Sequence, residues 1–305
     1  MSEPPQKSDQ PEERAPRTCW WHPDRRTGLR CARCERSACP DCLREATVGY
    51  QCVDCVAAAR KQHQAQRARY RKSGFGYRTI AGARVPSQPL VTYTLIALNV
   101  IVFAVTAAQA QDVMRNFQSE VMNLGVLVPL VAAAGEWWRV ITSGFLHIGL
   151  LHLAVNMFAL WILGKELERV LGTARYLVLY LLSLLGGSVA VFAFSSPDTP
   201  VAGASGAVYG VLGGILIAVL RLRLNLTPII AIIVLNLAIS IGVKQISLFG
   251  HLGGLVVGVL VCAAMVYAPS RHRTGWQAGA VAIILAALIG AYAIRYAQLS
   301  ALIWY

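Results

Sequence analysis

LFGHLGGLVVGVLVCAAMVYA, residues 248–268, carries no charged side chain over 21 positions. As a helix rising 1.5 Å per residue it would reach roughly 30 Å, the thickness of a bilayer's hydrocarbon core. No face of it is polar, so it cannot lie half in water. Working outward, six further long apolar stretches follow: 91–110, 145–163, 176–194, 205–220, 228–243 and 276–296, of which only the last holds a charged residue, Arg295. Composition agrees: of 305 residues, 56% are hydrophobic and 14% charged, whereas soluble domains hold roughly a quarter charged. Collagen-like, disordered and disulfide-scaffold classes are excluded. The expected fold class is an all-α polytopic membrane protein with seven transmembrane helices, of which the fourth and fifth are short against the roughly 20 residues a span needs.

The net charge of +13, from 28 Lys and Arg against 15 Asp and Glu, raises nucleic acid as a partner. Its placement speaks against that. Residues 60–84, RKQHQAQRARYRKSGFGYRTIAGAR, contain no acidic residue and lie just ahead of the first apolar run. A juxtamembrane basic segment meets anionic lipid headgroups. With that segment in the cytoplasm, the turns on the same side carry Lys165, Arg169 and Arg175, then Arg221 and Arg223, then Arg271 and Arg273. The opposite side holds Arg115, Arg139 and Lys244. The excess of basic residues inside orients the chain with its amino terminus cytoplasmic and its carboxyl terminus outside. No signal peptide is expected, since apolar sequence begins only near Leu90. High Ala, Gly and Arg usage points to a bacterial plasma membrane.

Polar side chains inside hydrocarbon are costly, and each is a site candidate by default. The second span begins FLHIGLLHLAVN, with His147, His152 and Asn156; the last two, four residues apart, share a helical face. The fourth opens GASGAVYG, with Ser205 between glycines and Tyr209 one turn on. The sixth opens FGHLGGLVVG, with His251 ahead of Gly254 and Gly258. Each has a plainer reading. Histidine and asparagine hydrogen-bond between helices, and Gly206 with Gly210 is an ordinary GxxxG packing pair. Depth separates the readings. Counting 1.5 Å per residue from the cytoplasmic turns, Ser205 lies roughly 24 Å up, His251 roughly 27 Å and His152 roughly 20 Å. Three polar groups meet in one layer near the outer surface.

A serine needs a base, and histidine is the usual one near neutral pH. A carboxylate normally orients that histidine, but no Asp or Glu follows Asp198. The expected machinery is therefore a Ser205–His251 dyad, with Tyr209 packed on the imidazole in place of a carboxylate. The Ser205 N–H at a helix start, with the His152 and Asn156 side chains, would stabilise the oxyanion.

GASGAVYG, HIGLLHLAVN and GHLGGLVVG together resemble the signature segments of the rhomboid intramembrane serine proteases. The resemblance covers essentially residues 91–296. Trp138-Arg139 resembles the family's Trp-Arg pair, Glu168 and Gly172 its ExxxG turn, and the seven spans its six-plus-one arrangement. It implies Ser205 as nucleophile, His251 as base, His152 and Asn156 as oxyanion donors, and His147 as a supporting residue beside them. It also implies single-span membrane proteins as substrates, cut in or beside their transmembrane segment. Gly250 departs from the alanine many members carry. A catalytically silent rhomboid-like binding or quality-control protein is the alternative function. A transporter is a third, but would show paired repeats, and none is visible.

Ahead of the spans, pairs Cys19/His22, Cys31/Cys34, Cys39/Cys42 and Cys52/Cys55 each enclose two residues. Four such pairs signal zinc, and a reducing cytoplasm disfavours disulfides. Two tetrahedral structural sites are expected. The gaps between pairs resemble a B-box or RING-like cross-brace, in which Cys19, His22, Cys39 and Cys42 share one ion and Cys31, Cys34, Cys52 and Cys55 the other; sequential pairing is the alternative. Cys262 reads as a buried apolar residue. The expected organisation is a disordered tail (1–17), a zinc module (18–57) that offers a surface to a protein partner, a basic linker (58–90) and a membrane domain (91–305).

Overall fold

The computed structural model describes residues 17–46, 49–72, 78–243 and 246–303. Nearly all of the expected tail, positions 73–77 of the expected linker, and Lys244 lie outside the described residues. Two compact units form, one within 17–72 and one within 78–303.

The first unit is small. Strand β1 (Leu43–Glu45) pairs antiparallel with β2 (Tyr50–Cys52), placing Leu43 opposite Cys52, and helix α1 (Val53–Lys72) follows. Its buried apolar cluster is Cys19, Cys31, Ala38, Cys39, Cys42, Leu43 and Cys52. Cysteine supplies most of that interior, which is too little apolar surface to hold so short a fold by burial alone. Helix α1 also extends through the first half of the expected basic linker.

In the second unit, a bend at Ser87–Gln88 between Pro86 and Pro89 leads into α2 (Leu90–Ala110), and proline directly ahead of Leu90 keeps the helix from starting earlier. The connection after it holds three short helices, α3 (Glu120–Gly125), α4 (Pro129–Ala133) and α5 (Arg139–Thr142). Arg139 holds this connection together. It is buried, donates from Nη1 to the carbonyls of Asn123 and Val126 at 2.7 and 2.8 Å, and pairs with Glu136 at 2.6 Å. Trp138 donates from its indole to the Leu124 carbonyl. The next rod is α6 (Leu150–Ala159), a π-helical turn Leu160–Gly164 and α7 (Lys165–Leu171) in one line. Then come α8 (Thr173–Phe194), α9 (Ser205–Arg221), α10 (Thr227–Gly242), α11 (Leu248–Val266) and α12 (Arg273–Ile303).

Among the described residues five rods are long and apolar enough to cross a membrane: α2, the α6–α7 rod, α8, α11 and α12. Helices α9 and α10, with 17 and 16 residues, are the two short apolar ones. One boundary differs from expectation. The second rod starts at Leu150, not near residue 145, and runs on to Leu171. Ahead of it Ser143–Phe145 forms a 3-10 turn, and Gly149 turns the chain at φ +76, a region that other residues avoid. The Asn116 side chain fixes that turn, accepting from the Gly149 N–H and donating to the His147 carbonyl. His147 therefore stands in the turn, outside the helix.

At the other end, Glu168 is fully buried and accepts from the backbone N–H groups of Val91 and Thr92 and from the Thr92 hydroxyl. It satisfies donors at the start of α2 that have no intrahelical partner. The centre of the unit is α8, α9 and α11, which approach backbone to backbone through glycine. A Cβ on Gly254 would collide with the Gly206 carbonyl, and one on Gly258 with Gly210. Gly187 of α8 faces both Gly206 and Gly250. Small residues are what permit this closeness where lipid supplies no hydrophobic drive between helices. Helix α10 is thinly packed by contrast: its buried residues are Ile229, Ile233 and Ser240.

Candidate functional site

Ser205 is the first residue of α9 and His251 lies in the first turn of α11. The glycine contacts bring these two helix ends together: a Cβ on Gly206 would sit 3.3 Å from the Gly250 carbonyl oxygen. Tyr209, one turn along α9 from Ser205, lies flat on the His251 imidazole, with ring centroids 4.0 Å apart and planes 15° apart. Among the described residues no hydrogen bond joins Ser205 Oγ to that ring. Such bonds often close only with substrate in place. The imidazole's Nδ1 is held instead by the Ser240 hydroxyl of α10, 2.7 Å away.

The second face of the site comes from the α6 rod. Gly203, at φ +138, has no side chain to keep His152 away; a Cβ there would lie 2.9 Å from both Cε1 and Nε2 of that ring and 3.6 Å from Ser205 Oγ. His152 Nδ1 accepts from the Ile148 N–H at 3.4 Å. The ring proton of the neutral tautomer then sits on Nε2, the nitrogen nearer Gly203. His147 packs edge-on against His152 with centroids 5.1 Å apart, and its Nε2 accepts from the Ala204 N–H at 3.4 Å. Asn156 is buried and donates one amide proton to the His152 carbonyl, which leaves a second proton on Nδ2. A cavity of about 350 Å³, counting space open to solvent, lies beside Ser205 and is lined by Ser143, Gly187, Gly203, Gly206 and Ser247 among others.

All six polar residues singled out in the sequence of the spans thus fall in one region. Ser240 was missed. Its signal was faint: Asn236 and Ser240, four apart, are the polar pair in an otherwise apolar 228–243 stretch.

In the first unit, Cys19, His22, Cys39 and Cys42 form one set and Cys31, Cys34, Cys52 and Cys55 another, with ligand atoms within 4.8 Å of one another in each. This is the interleaved pairing, and sequential pairing is not what the chain adopts. His22 Nδ1 stands 3.7, 3.5 and 3.4 Å from the sulfurs of Cys19, Cys39 and Cys42, and Cys34 Sγ stands 3.7 Å from Cys52 Sγ. A tetrahedral zinc ion with its usual bond lengths sets S···N edges of about 3.6 Å and S···S edges of about 3.8 Å. The donor sets fit the metal. Burial raises the Cys19 thiol, but N–H groups of Cys39 and Trp21 and the His22 ring outweigh it and bring Cys19 down to about 6. Burial and the neighbouring sulfurs push Cys42 up to about 12, and Cys55 likewise. Cys262 lies elsewhere, buried in α11 and donating to the Gly214 carbonyl.

Residues 134–268 match the family model of the rhomboid domain. The chain is similar to the rhomboid protease GluP of Bacillus subtilis (strain 168), at 36% identity over 236 residues, 74% of this chain and 46% of that protein. It is similar to YdcA of the same organism, at 33% over 191 residues, 60% of this chain and 92% of YdcA. It is also similar to the rhomboid protease AarA of Providencia stuartii, at 27% over 214 residues, 60% of this chain and 75% of that protein. The chain thus spans about half the length of GluP and nearly all of YdcA.

Proposed function

The chain belongs to the rhomboid family, and from that premise we propose that it is an intramembrane serine endopeptidase working through Ser205 and His251. One observation carries the reading: the glycine contact of α9 with α11 and the stacking of Tyr209 on His251 set a hydroxyl and an imidazole at adjoining helix ends. Ser205 Oγ attacks the scissile carbonyl while His251 Nε2 takes its proton, and the imidazolium then protonates the leaving amine. The developing oxyanion is met by the Ser205 N–H, free at the first position of α9, by His152 Nε2–H and by the spare Asn156 amide proton. Losing one such donor typically costs about 3 kcal/mol of transition-state stabilisation. His147 supports the set by holding the Ala204 amide and the edge of the His152 ring. Water entering the neighbouring cavity hydrolyses the acyl-enzyme.

The substrates are single-span membrane proteins cut in or beside their transmembrane segment. The chain sits in a bacterial plasma membrane with its amino terminus in the cytoplasm, as the basic turns require. The two cysteine sets hold zinc, whose contribution is structural, since four protein ligands leave no open position for water.

The test is cleavage of a model single-span protein by the purified full chain in detergent or liposomes. Wild type should release a defined fragment, and Ser205→Ala and His251→Ala should each reduce the rate to background. Undiminished cleavage by either variant would assign the chemistry to other residues.

A further inference from the structure

The side chain that contacts His251 Nδ1 is a serine on a different helix. Ser240 is 4% exposed and His251 6%, and their Oγ and Nδ1 atoms are 2.7 Å apart. The same Oγ lies 2.8 Å from the Asn236 carbonyl oxygen and 3.1 Å from the Tyr209 hydroxyl. A hydroxyl has one proton and two lone pairs. A carbonyl can only accept, so the Ser240 proton lies on the short contact to Asn236; otherwise two oxygens would face each other with no proton between them. The two lone pairs of Oγ then accept from the Tyr209 O–H and from an N–H on His251 Nδ1. Every contact is satisfied by this arrangement, and it fixes the imidazole as the Nδ1–H tautomer. The lone pair is left on Nε2, the nitrogen a general base must use.

We propose that Ser240 is a positioning residue for the base: together with the stacked Tyr209 ring it takes the place of the missing carboxylate. This rests on reading His251 as the base. Its location agrees. Helix α10 turns little of itself inward, yet it places a buried hydroxyl at the one imidazole of α11, and a polar side chain in a lipid-facing helix is a functional candidate by default. A carboxylate would also fix the tautomer, but it would place a full charge in hydrocarbon, at greater desolvation cost than a hydroxyl.

The experiment has two arms on the full chain. In the first, nitrogen-15 spectra of protein labelled at its histidine rings, assigned with His251→Gln, should show His251 protonated at Nδ1 and bare at Nε2. In Ser240→Ala that single pattern should give way to exchange between tautomers. In the second, cleavage kinetics for Ser240→Ala should show kcat falling roughly 10- to 100-fold, while KM stays within about 2-fold, as for loss of a group acting only through the base. Ser240→Thr keeps the hydroxyl and should restore most of kcat, which a loss of packing alone would not predict. A wild-type ring protonated at Nε2 would overturn the proposal even if Ser240→Ala proved unfoldable. So would an unchanged kcat in Ser240→Ala, or equal losses in the alanine and threonine variants. If Ser205→Ala kept its activity, the protease reading would fall, while the tautomer would still be decided by the spectra.

Discussion

At the scale of single residues, lipid makes polar chemistry conspicuous. Ser205, His251 and His152 stand out of the sequence because hydrocarbon surrounds them in the chain. Tyr209 was expected on the imidazole, and it lies there at 4.0 Å. Ser240 escaped notice because a serine in a membrane helix usually bonds its own preceding turn, as it also does here with Asn236; its second bond joins two helices that sequence cannot register against each other. Tyr209 does two things that substitution can separate. Tyr209→Phe keeps the ring on His251 and loses the bond to Ser240, so kcat should fall only a few-fold. Tyr209→Ala also loses the stack, worth about 0.5–1.5 kcal/mol, and should fall further. Equal kcat for the two variants would show that the stacked ring contributes nothing. Gly203 offers a sharper probe. Any side chain there meets both the positive φ and the His152 ring, so Gly203→Ala should lower kcat strongly while leaving the detergent-solubilised protein's melting point within a few degrees.

At the scale of elements, helix existence was legible and helix ends were not. Apolar runs of bilayer length announce α2, α8, α11 and α12. The second rod begins later and ends later than its hydropathy suggested, because Gly149 and Asn116 set its start and buried Glu168 ties its last turns to the start of α2, while Glu166 and Arg169 stay exposed. The short helices α3–α5 have no periodic signal; buried Arg139 ties α5 to the end of α3 by hydrogen bonds that join residues far apart in the sequence. The backbone contact of α9 with α11 was readable as GxxxG spacing, and its energetic weight can be measured. Gly254→Leu must push α11 off the Gly206 carbonyl; overpacking of this kind costs typically about 1–3 kcal/mol, and activity should vanish because His251 moves with its helix. Glu168→Ala leaves two buried donors of Thr92 unmet, at about 1–3 kcal/mol for each, and the partly buried Val91 N–H as well. It should lower the thermal midpoint well below that of Glu168→Gln, which keeps an acceptor. Equal midpoints would mean that the carboxyl oxygens do not cap α2.

At the scale of the whole molecule, the chain joins a unit organised by cysteine to a unit organised by glycine. Ligand spacing made the first readable, but the choice between interleaved and sequential pairing waited for coordinates, since both satisfy the same intervals. The chain should carry two zinc ions, one for each set. A strong chelator should remove both and expose the amides of the β1–β2 hairpin to hydrogen exchange, because that unit has little else to hold it. Retained protection after metal loss would contradict a structural role.

The central claim is that Ser205 is activated by His251, and a fluorophosphonate probe tests it most directly. Attack by Oγ on phosphorus expels fluoride and leaves a stable serine adduct that peptide mass spectrometry can place. Wild type should be modified at Ser205 and at no other serine, with labelling abolished in His251→Ala. Labelling that persists at full rate without the imidazole, or that falls on a different residue, would contradict the account.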